Sequence, residues 1–285
     1  MPPRVLLSWS SGKDSAWTLH VLRAQGAEVA GLLTTFNEAA DRVAMHAVRR
    51  PLVEAQARSA GLPLWPVLLP WPCSNAAYEE RMRAALARAR AAGVTHVAFG
   101  DLFLEDIRDY RLRLLAGTGL EPLFPLWCSP AETPALARRM IGAGVRAVLT
   151  CVDPARLPAP FAGRRYDAAL LAELPAGVDP CAERGEFHTF CYAGPMFAAE
   201  IPVDVGERVT RDGFCFADVV PADPASGLCA SCRWSRRVRT RRGSVFVRCG
   251  RADSDPRFAR YPRLPVRACA GYEPAPPGQE GGMVK

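Results

Sequence analysis

The sequence predicts an α/β fold, a Rossmann-like parallel sheet with helices on both faces, followed by a smaller α/β subdomain and a small cysteine-rich C-terminal module. Three observations carry this expectation. Short apolar runs alternate with longer amphipathic segments, a Ser/Gly turn directly follows the first apolar run, and composition changes abruptly at residues 221–227. Alternation of strand and helix signals is what a parallel sheet with crossover helices requires.

Taken in order, residues 5–8, 27–35, 64–69, 94–99, 123–127 and 146–152 are short and apolar and read as strands. Residues 14–25, 48–60, 75–92, 103–116 and 134–143 lie between them and read as helices. In the first helix Ala16, Leu19 and Leu22 share a face, with Trp17, Val21 and Ala24 beside it, before Gln25-Gly26 ends it. The expected organisation is a nucleotide-type domain over 1–120, a smaller α/β subdomain over 121–222 and a basic module over 223–285. At 285 residues and 49% hydrophobic, the chain has material for more than one core. No apolar stretch approaches membrane-spanning length and the start lacks the apolar region of a signal peptide, so a cytoplasmic protein with no membrane contact is expected. In that compartment its ten cysteines are core residues, thiols or metal ligands, and a disulfide framework is not expected.

The turn Ser10-Ser11-Gly12-Lys13-Asp14-Ser15 carries one of only two lysines in a chain whose 36 basic residues are otherwise arginine. A strand that ends in such a turn and becomes a helix leaves the helix's first N–H groups unpaired, and these attract an anion. Ser10, Ser11 and Ser15 add hydroxyls, Gly12 lets the backbone come close, and Lys13 is a compact charge. A Walker loop is excluded, because Asp14 follows the lysine where Ser or Thr is needed, and Leu7 stands at the first glycine position. The alternative is a surface turn in which Asp14 caps the helix. Ligands of parallel sheets bind beyond the carboxyl ends of the strands, which gathers this turn, Thr34 and Gly100-Asp101 on one rim. His46, in the loop before the second helix, is counted with them.

Two further segments carry candidate chemistry. In 100–111, Asp101, Glu105 and Arg108 would share a helix face and could present carboxylates to a metal-bound nucleotide and a guanidinium to an anion. Asp106, Tyr110 and Arg111 belong to the same segment. The same pattern also fits a solvated helix held by ordinary ion pairs. In 179–190, an extended stretch would point Glu186 and His188 to one side and Phe187 and Thr189 to the other. A carboxylate and an imidazole together suit binding an amine or relaying its proton, and Glu183 is close enough in sequence to join them.

The turn resembles the pyrophosphate loop of the ATP pyrophosphatase superfamily, Ser-Gly-Gly-x-Asp-Ser, with Ser11 at the middle glycine. The turn, Gly-Asp-x-x-x-Glu-Asp-x-Arg-x-Tyr-Arg over 100–111, Phe124-Pro125-Leu126-Trp127 and the 179–190 segment, in this order, resemble the diphthine-ammonia ligase family and its bacterial relatives over about residues 4–220. Ala182 and Arg184 stand where that family usually has glycine and asparagine. The resemblance implies an adenine nucleotide alpha-hydrolase-like fold and a magnesium-ATP-dependent amide ligase. Such an enzyme adenylates a carboxylate, amidates it with ammonium, and releases AMP and pyrophosphate. Carried over, Ser10, Gly12, Lys13, Asp14 and Ser15 would hold pyrophosphate, with Lys13 and Asp14 also catalytic. Glu183, Glu186 and His188 would serve the acceptor or ammonium side. The acceptor carboxylate itself is not identified.

From residue 225 onward the chain has 13 Lys and Arg against 4 Asp and Glu, so residues 1–224 carry about −2 of the total of +7. Cys229, Cys232, Cys249 and Cys269 supply four thiols in this segment, which is too poor in apolar residues for a core of its own. Tetrahedral zinc, an iron–sulfur cluster and free thiols are all compatible with that spacing. Seven arginines around the first three cysteines, with Trp234 and Phe246 interleaved, suit phosphate neutralisation and base stacking. Docking on an acidic protein fits nearly as well. The alternatives to an amide ligase are therefore an RNA-binding, tRNA-modifying enzyme of the same superfamily and a nucleotide sensor without turnover.

Overall fold

A computed structural model describes residues 2–222, 226–239, 245–275 and 283–284. The chain divides into two compact units, residues 1–201 with 206–219, and residues 202–205 with 220–285. The first unit begins with strand β1 (Arg4–Ser8), helix α1 (Lys13–Ala24), β2 (Glu28–Asn37), a short β3 (Arg42–Val43) and α2 (Arg50–Ala60). It continues with β4 (Leu64–Leu69), α3 (Asn75–Ala91), β5 (His96–Ala98), α4 (Glu105–Leu115) and β6 (Glu121–Leu123). These six strands form one sheet in the order β3-β2-β1-β5-β6, with β4 also paired to β2. All pairings are parallel except the antiparallel β2–β3 contact. The α/β fold with a helix-flanked parallel sheet is thus as expected.

Each local structure has a sequence cause. Val5, Leu6 and Leu7 of β1 are fully buried, as a central parallel strand covered on both faces must be. Helix α3 buries Met82, Ala85, Leu86 and Ala89, one helical face, against Leu33, Val67, Leu69 and Val97 of the sheet. Ser74 caps it by accepting the Ala77 N–H at 3.2 Å. Helix α2 starts with Pro51 in its first turn and ends at Gly61, whose φ of 66° is the left-handed conformation glycine adopts without strain.

The strand expected over 123–127 lies earlier, at β6. Phe124–Trp127 form a turn closed by Trp127 N–H donating to Phe124 O at 3.1 Å, and Pro125 has no N–H for a ladder. Pro122 is tolerated inside β6 because this strand is at the sheet edge.

After α5 (Thr133–Gly142), β7 (Arg146–Val152) leaves the parallel pattern. With the short helix α6 (Ala168–Glu173), β8 (Phe187–Ala193), β9 (Val203–Arg211) and β10 (Phe214–Pro221) it builds a second sheet, order β8-β7-β10-β9, in which β7 pairs antiparallel with both neighbours. Six of the seven residues of β7 are buried, a run that looks the same in a parallel and in a central antiparallel strand. In the second unit, β11 (Ser235–Arg239) and β12 (Val245–Cys249) form an antiparallel hairpin, and β13 (Met283–Val284) pairs parallel to β11. Among the described residues no helix is long and apolar enough to cross a membrane.

Candidate active site

Strand order reverses between β1 and β5, since β2 and β4 lie to one side of β1 and β5 and β6 to the other. A crevice opens beyond the carboxyl ends of strands at such a point. Residues 9–12 fill it on one side and Gly100-Asp101 on the other. Helix α1 starts at Lys13 with Gly12 as its N-cap, so its first N–H groups face the crevice. Ser11 has φ of 70°, the left-handed region a glycine would occupy more easily. Glycine is required at 12, because a Cβ there would come within 2.8 Å of His46 Cε1 and 3.3 Å of Thr189 O. At Gly100 a Cβ would press to 3.2 Å on the Ser15 nitrogen and Thr18 Oγ1, so its absence lets β5 reach the first turn of α1.

The turn is held from the second sheet. Strand β8 is an edge strand, and its outward backbone groups would otherwise lack partners. Cys191 N–H donates to Ser11 O at 2.9 Å, and Thr189 Oγ1 accepts from Lys13 N–H at 3.1 Å. Gln56 closes the underside. Its Nε2 donates to Ser11 O at 2.9 Å and Cys191 O at 2.6 Å, while its Oε1 accepts from Trp9 Nε1 at 2.8 Å. Gln56 was not expected; its only signal is a polar residue on the apolar face formed by Leu52, Val53, Ala57 and Ala60.

Lys13 is 2% exposed, and its ammonium lies beneath the turn. It donates to Asp14 Oδ2 at 2.8 Å and to Cys181 O at 2.5 Å, with the rings of Tyr166 and Phe187 5.3 and 5.6 Å away. Its basicity is raised: burial opposes the charge, and Asp14, Cys181 and Asp179 together outweigh it. Asp14 in turn is pushed up by burial despite the lysine. Two buried atoms of the turn, Ser11 Oγ and Asp14 Oδ1, have no hydrogen-bond partner. Such orphans fit a site whose remaining partners are ligand atoms.

On the rim, Thr34 spends its hydroxyl proton on Trp9 O at 2.9 Å and so braces the start of the turn. Asp101 precedes α4, so it does not share a helix face with Glu105 and Arg108. It pairs with Arg111 at 3.1 Å, because the chain from Gly100 to Leu104 is not helical. Glu105 and Asp106 are exposed, Glu105 lying 3.8 Å from Arg108. Arg108 stacks over Trp127 at 4.8 Å and Phe124 at 5.6 Å, and its Nε has no partner. Tyr110 lines a groove of about 960 Å³ between α3 and α4, with Arg83, Arg90 and Arg113.

Glu183 accepts from Leu102 N–H at 2.7 Å and Phe103 N–H at 3.4 Å, which fixes it beside the Gly100-Asp101 corner. Burial, aided by Asp14 and Asp101, pushes its carboxyl up to about 7. Asp179 organises this segment, accepting from Cys181 and Glu183 N–H. Glu186 is 2% exposed; Oε1 accepts from Asp179 N–H at 3.1 Å and Oε2 has no partner. His188 stacks on His46, ring centroids 4.7 Å apart. Burial depresses both imidazoles, to about 3 for His188 and about 4 for His46.

The expectation of a metal on Cys229, Cys232, Cys249 and Cys269 finds no support. None of the four forms a disulfide, and among the described residues no three His, Cys, Asp or Glu side chains form a group able to hold an ion. Of the arginines expected to meet phosphates, Arg233, Arg237 and Arg248 are ion-paired with Glu273, Asp204 and Asp253. Arg239, Arg241 and Arg242 have no described side chain. Trp234 is covered by Arg233 and Arg251, whereas Phe246 is half exposed.

A helix N-terminus at the switch point of a parallel sheet, entered through a Ser-Ser-Gly-Lys-Asp-Ser turn, defines an α/β protein of the PP-loop, Rossmann-like class. Residues 3–121 match the diphthamide synthase N-terminal domain, and residues 132–220 match the diphthamide synthase C-terminal domain. The chain belongs to the diphthamide synthase family. It is 32% identical over 105 residues to the diphthine–ammonia ligase of Rattus norvegicus, covering 35% of this chain and 39% of that protein. The match therefore spans well under half the length of this curated relative.

Proposed function

We propose that this protein is an ATP-dependent amide ligase that adenylates a carboxylate and amidates it with ammonia. The observation that carries this reading is Glu183, a carboxyl poised at about 7 and anchored by two N–H donors beside the anion-ready turn. A group that titrates near neutrality is suited to take a proton from an incoming amine, and its position next to the crevice supports that role. Family membership and the similarity to a diphthine–ammonia ligase support the same class of reaction.

In this reading the N–H groups of Asp14 and Ser15 and the hydroxyls of Ser10 and Ser11 receive the outer phosphates, and the Gly12 and Lys13 N–H groups would join them by leaving Ser10 Oγ and Thr189 Oγ1. Lys13, fixed beneath the turn, anchors Asp14 and contributes charge from below. The unpartnered Asp14 Oδ1 and Ser11 Oγ fit magnesium-ATP, with the carboxylate toward the cation and the hydroxyl toward phosphate. Bound magnesium would neutralise phosphate charge. Attack of the acceptor carboxylate on the α-phosphorus expels pyrophosphate. Ammonia then attacks the acyl carbon, Glu183 accepts a proton, and the carbon–oxygen bond to AMP breaks. The experiment is product analysis with magnesium-ATP, ammonium and a panel of carboxylates. AMP and pyrophosphate formed only with ammonium and one acceptor class support the reading; acceptor-dependent ADP and phosphate overturn it.

A further inference from the structure

The loop between β3 and α2 holds His46 over the turn. We propose that His46 and His188 form an imidazole pair that binds the phosphate groups entering the turn and takes up a proton as it does so. This rests on the placement of nucleotide phosphates given above, and it adds a ligand and a proton to that site.

Geometry comes first. His46 Cε1 lies so close to Gly12 that no side chain fits between them, which puts this ring beside the turn where an anion would bind. His46 Nδ1 is 2.9 Å from Thr189 O. A carbonyl only accepts, so Nδ1 carries the hydrogen and Nε2 keeps the free lone pair that titrates. The ring is set by a tight loop in which His46 N–H donates to Ala44 O at 2.7 Å and Ala47 N–H to Val43 O at 3.0 Å. Met45 and Ala47 on either side have φ of 60° and 54°, a left-handed conformation that is strained for non-glycine residues. Strain held at a residue facing a ligand crevice is a mark of function.

Electrostatics supplies the proton linkage. The charged group acting on the pair is Lys13 of α1, ion-paired with Asp14, and after burial it adds to the depression of both rings. On the loop's own flanks, Arg42 and Arg49 are both committed to Asp218 of β10, and Arg50 to Asp41 and Glu54. No fixed negative charge is left over to favour an imidazolium, and burial keeps both rings neutral. A phosphate anion beside Nε2 reverses that balance and moves the pair toward the ordinary imidazole range. Two imidazoliums 4.7 Å apart would repel, so one proton is shared by the pair.

With four histidines in the chain, nitrogen-15 NMR of labelled imidazoles can follow the pair directly. The probe is inorganic pyrophosphate, with the amides of Gly12 to Ser15 reporting its arrival. Expected is a neutral pair at pH about 6 in the free protein and an imidazolium signal when pyrophosphate is bound, an apparent upward shift of about two pH units or more. The His46→Asn variant keeps a donor for Thr189 O; it should lose about tenfold more pyrophosphate affinity at pH about 6 than at pH about 8. Pyrophosphate that moves the amides while both rings stay neutral, or an equal loss at both pH values, overturns the proposal and leaves the ligase reading standing. Amides that do not respond at all overturn both.

Discussion

Gln56 is a polar side chain at a core position of α2, and its three hydrogen bonds join the first strand's end, the turn and β8. Gln56→Leu keeps the volume but leaves the Cys191 carbonyl and the Trp9 indole N–H without the partner Gln56 gives them, while Ser11 O keeps only the Cys191 N–H. It should lower stability by about 3 kcal/mol. Urea unfolding measures this, and a loss below about 0.5 kcal/mol would show that the carbonyls find other donors. Ser11 makes the opposite case. At φ of 70° its side chain is strained, and Ser11→Gly should raise stability by about 0.5–1 kcal/mol on the same measurement. A decrease would mean that the hydroxyl has a partner inside the fold. The motif containing Ser11 was legible because its chemistry is local, carried by adjacent residue types. Gln56 was not, since a lone polar residue on an apolar face acquires meaning only when its carbonyl partners are brought from residues 11 and 191.

Strand β8 connects scales. It is an edge strand of one sheet, and its outward groups hold a loop of the other, which places His188 against His46 and Thr189 against Lys13. The pH response follows from this packing. Both imidazoles are held well below the usual 6.5, so the unfolded chain binds more protons than the folded one between about pH 4 and 6.5. Stability contributed by the neutral pair is complete above that range and falls as pH drops through it. Glu183, held at about 7, and Asp14, also pushed up by burial, act oppositely, whereas the ion-paired Asp218, Asp253 and Glu273 are held low and lose their stabilisation as pH falls, in the same direction as the imidazoles. The thermal midpoint should therefore fall as pH is lowered from about 7 to 4, and fall less in His46→Asn. An equal fall in the variant would place the protons elsewhere. The helices and most parallel strands were legible from periodicity and punctuation. Which sheet β7 joins was not, because a doubly buried strand carries no mark of its partners' direction, and β6 was displaced because Pro125 ends the ladder that Phe124–Trp127 seemed to continue.

At the scale of the whole molecule, the first unit contains everything assigned to the candidate site, and the second contains most of the excess positive charge. That excess is less free than its count: Arg233, Arg237, Arg248, Arg251, Arg257 and Arg260 all lie within ion-pair distance of acids of the same unit. Paired surface charges attract an RNA backbone less than bare ones. The fold therefore places its most unusual groups at the switch point of the sheet: a buried lysine, a carboxyl near neutrality, two neutral imidazoles and orphaned polar atoms of the turn. The most direct test of this account is a crystal structure of the protein with magnesium and a non-hydrolysable ATP analogue. The account predicts the β- and γ-phosphates at the start of α1, on the Asp14 and Ser15 amides and the Ser11 hydroxyl, with His46 in contact. A nucleotide bound elsewhere, with that turn empty, would contradict it.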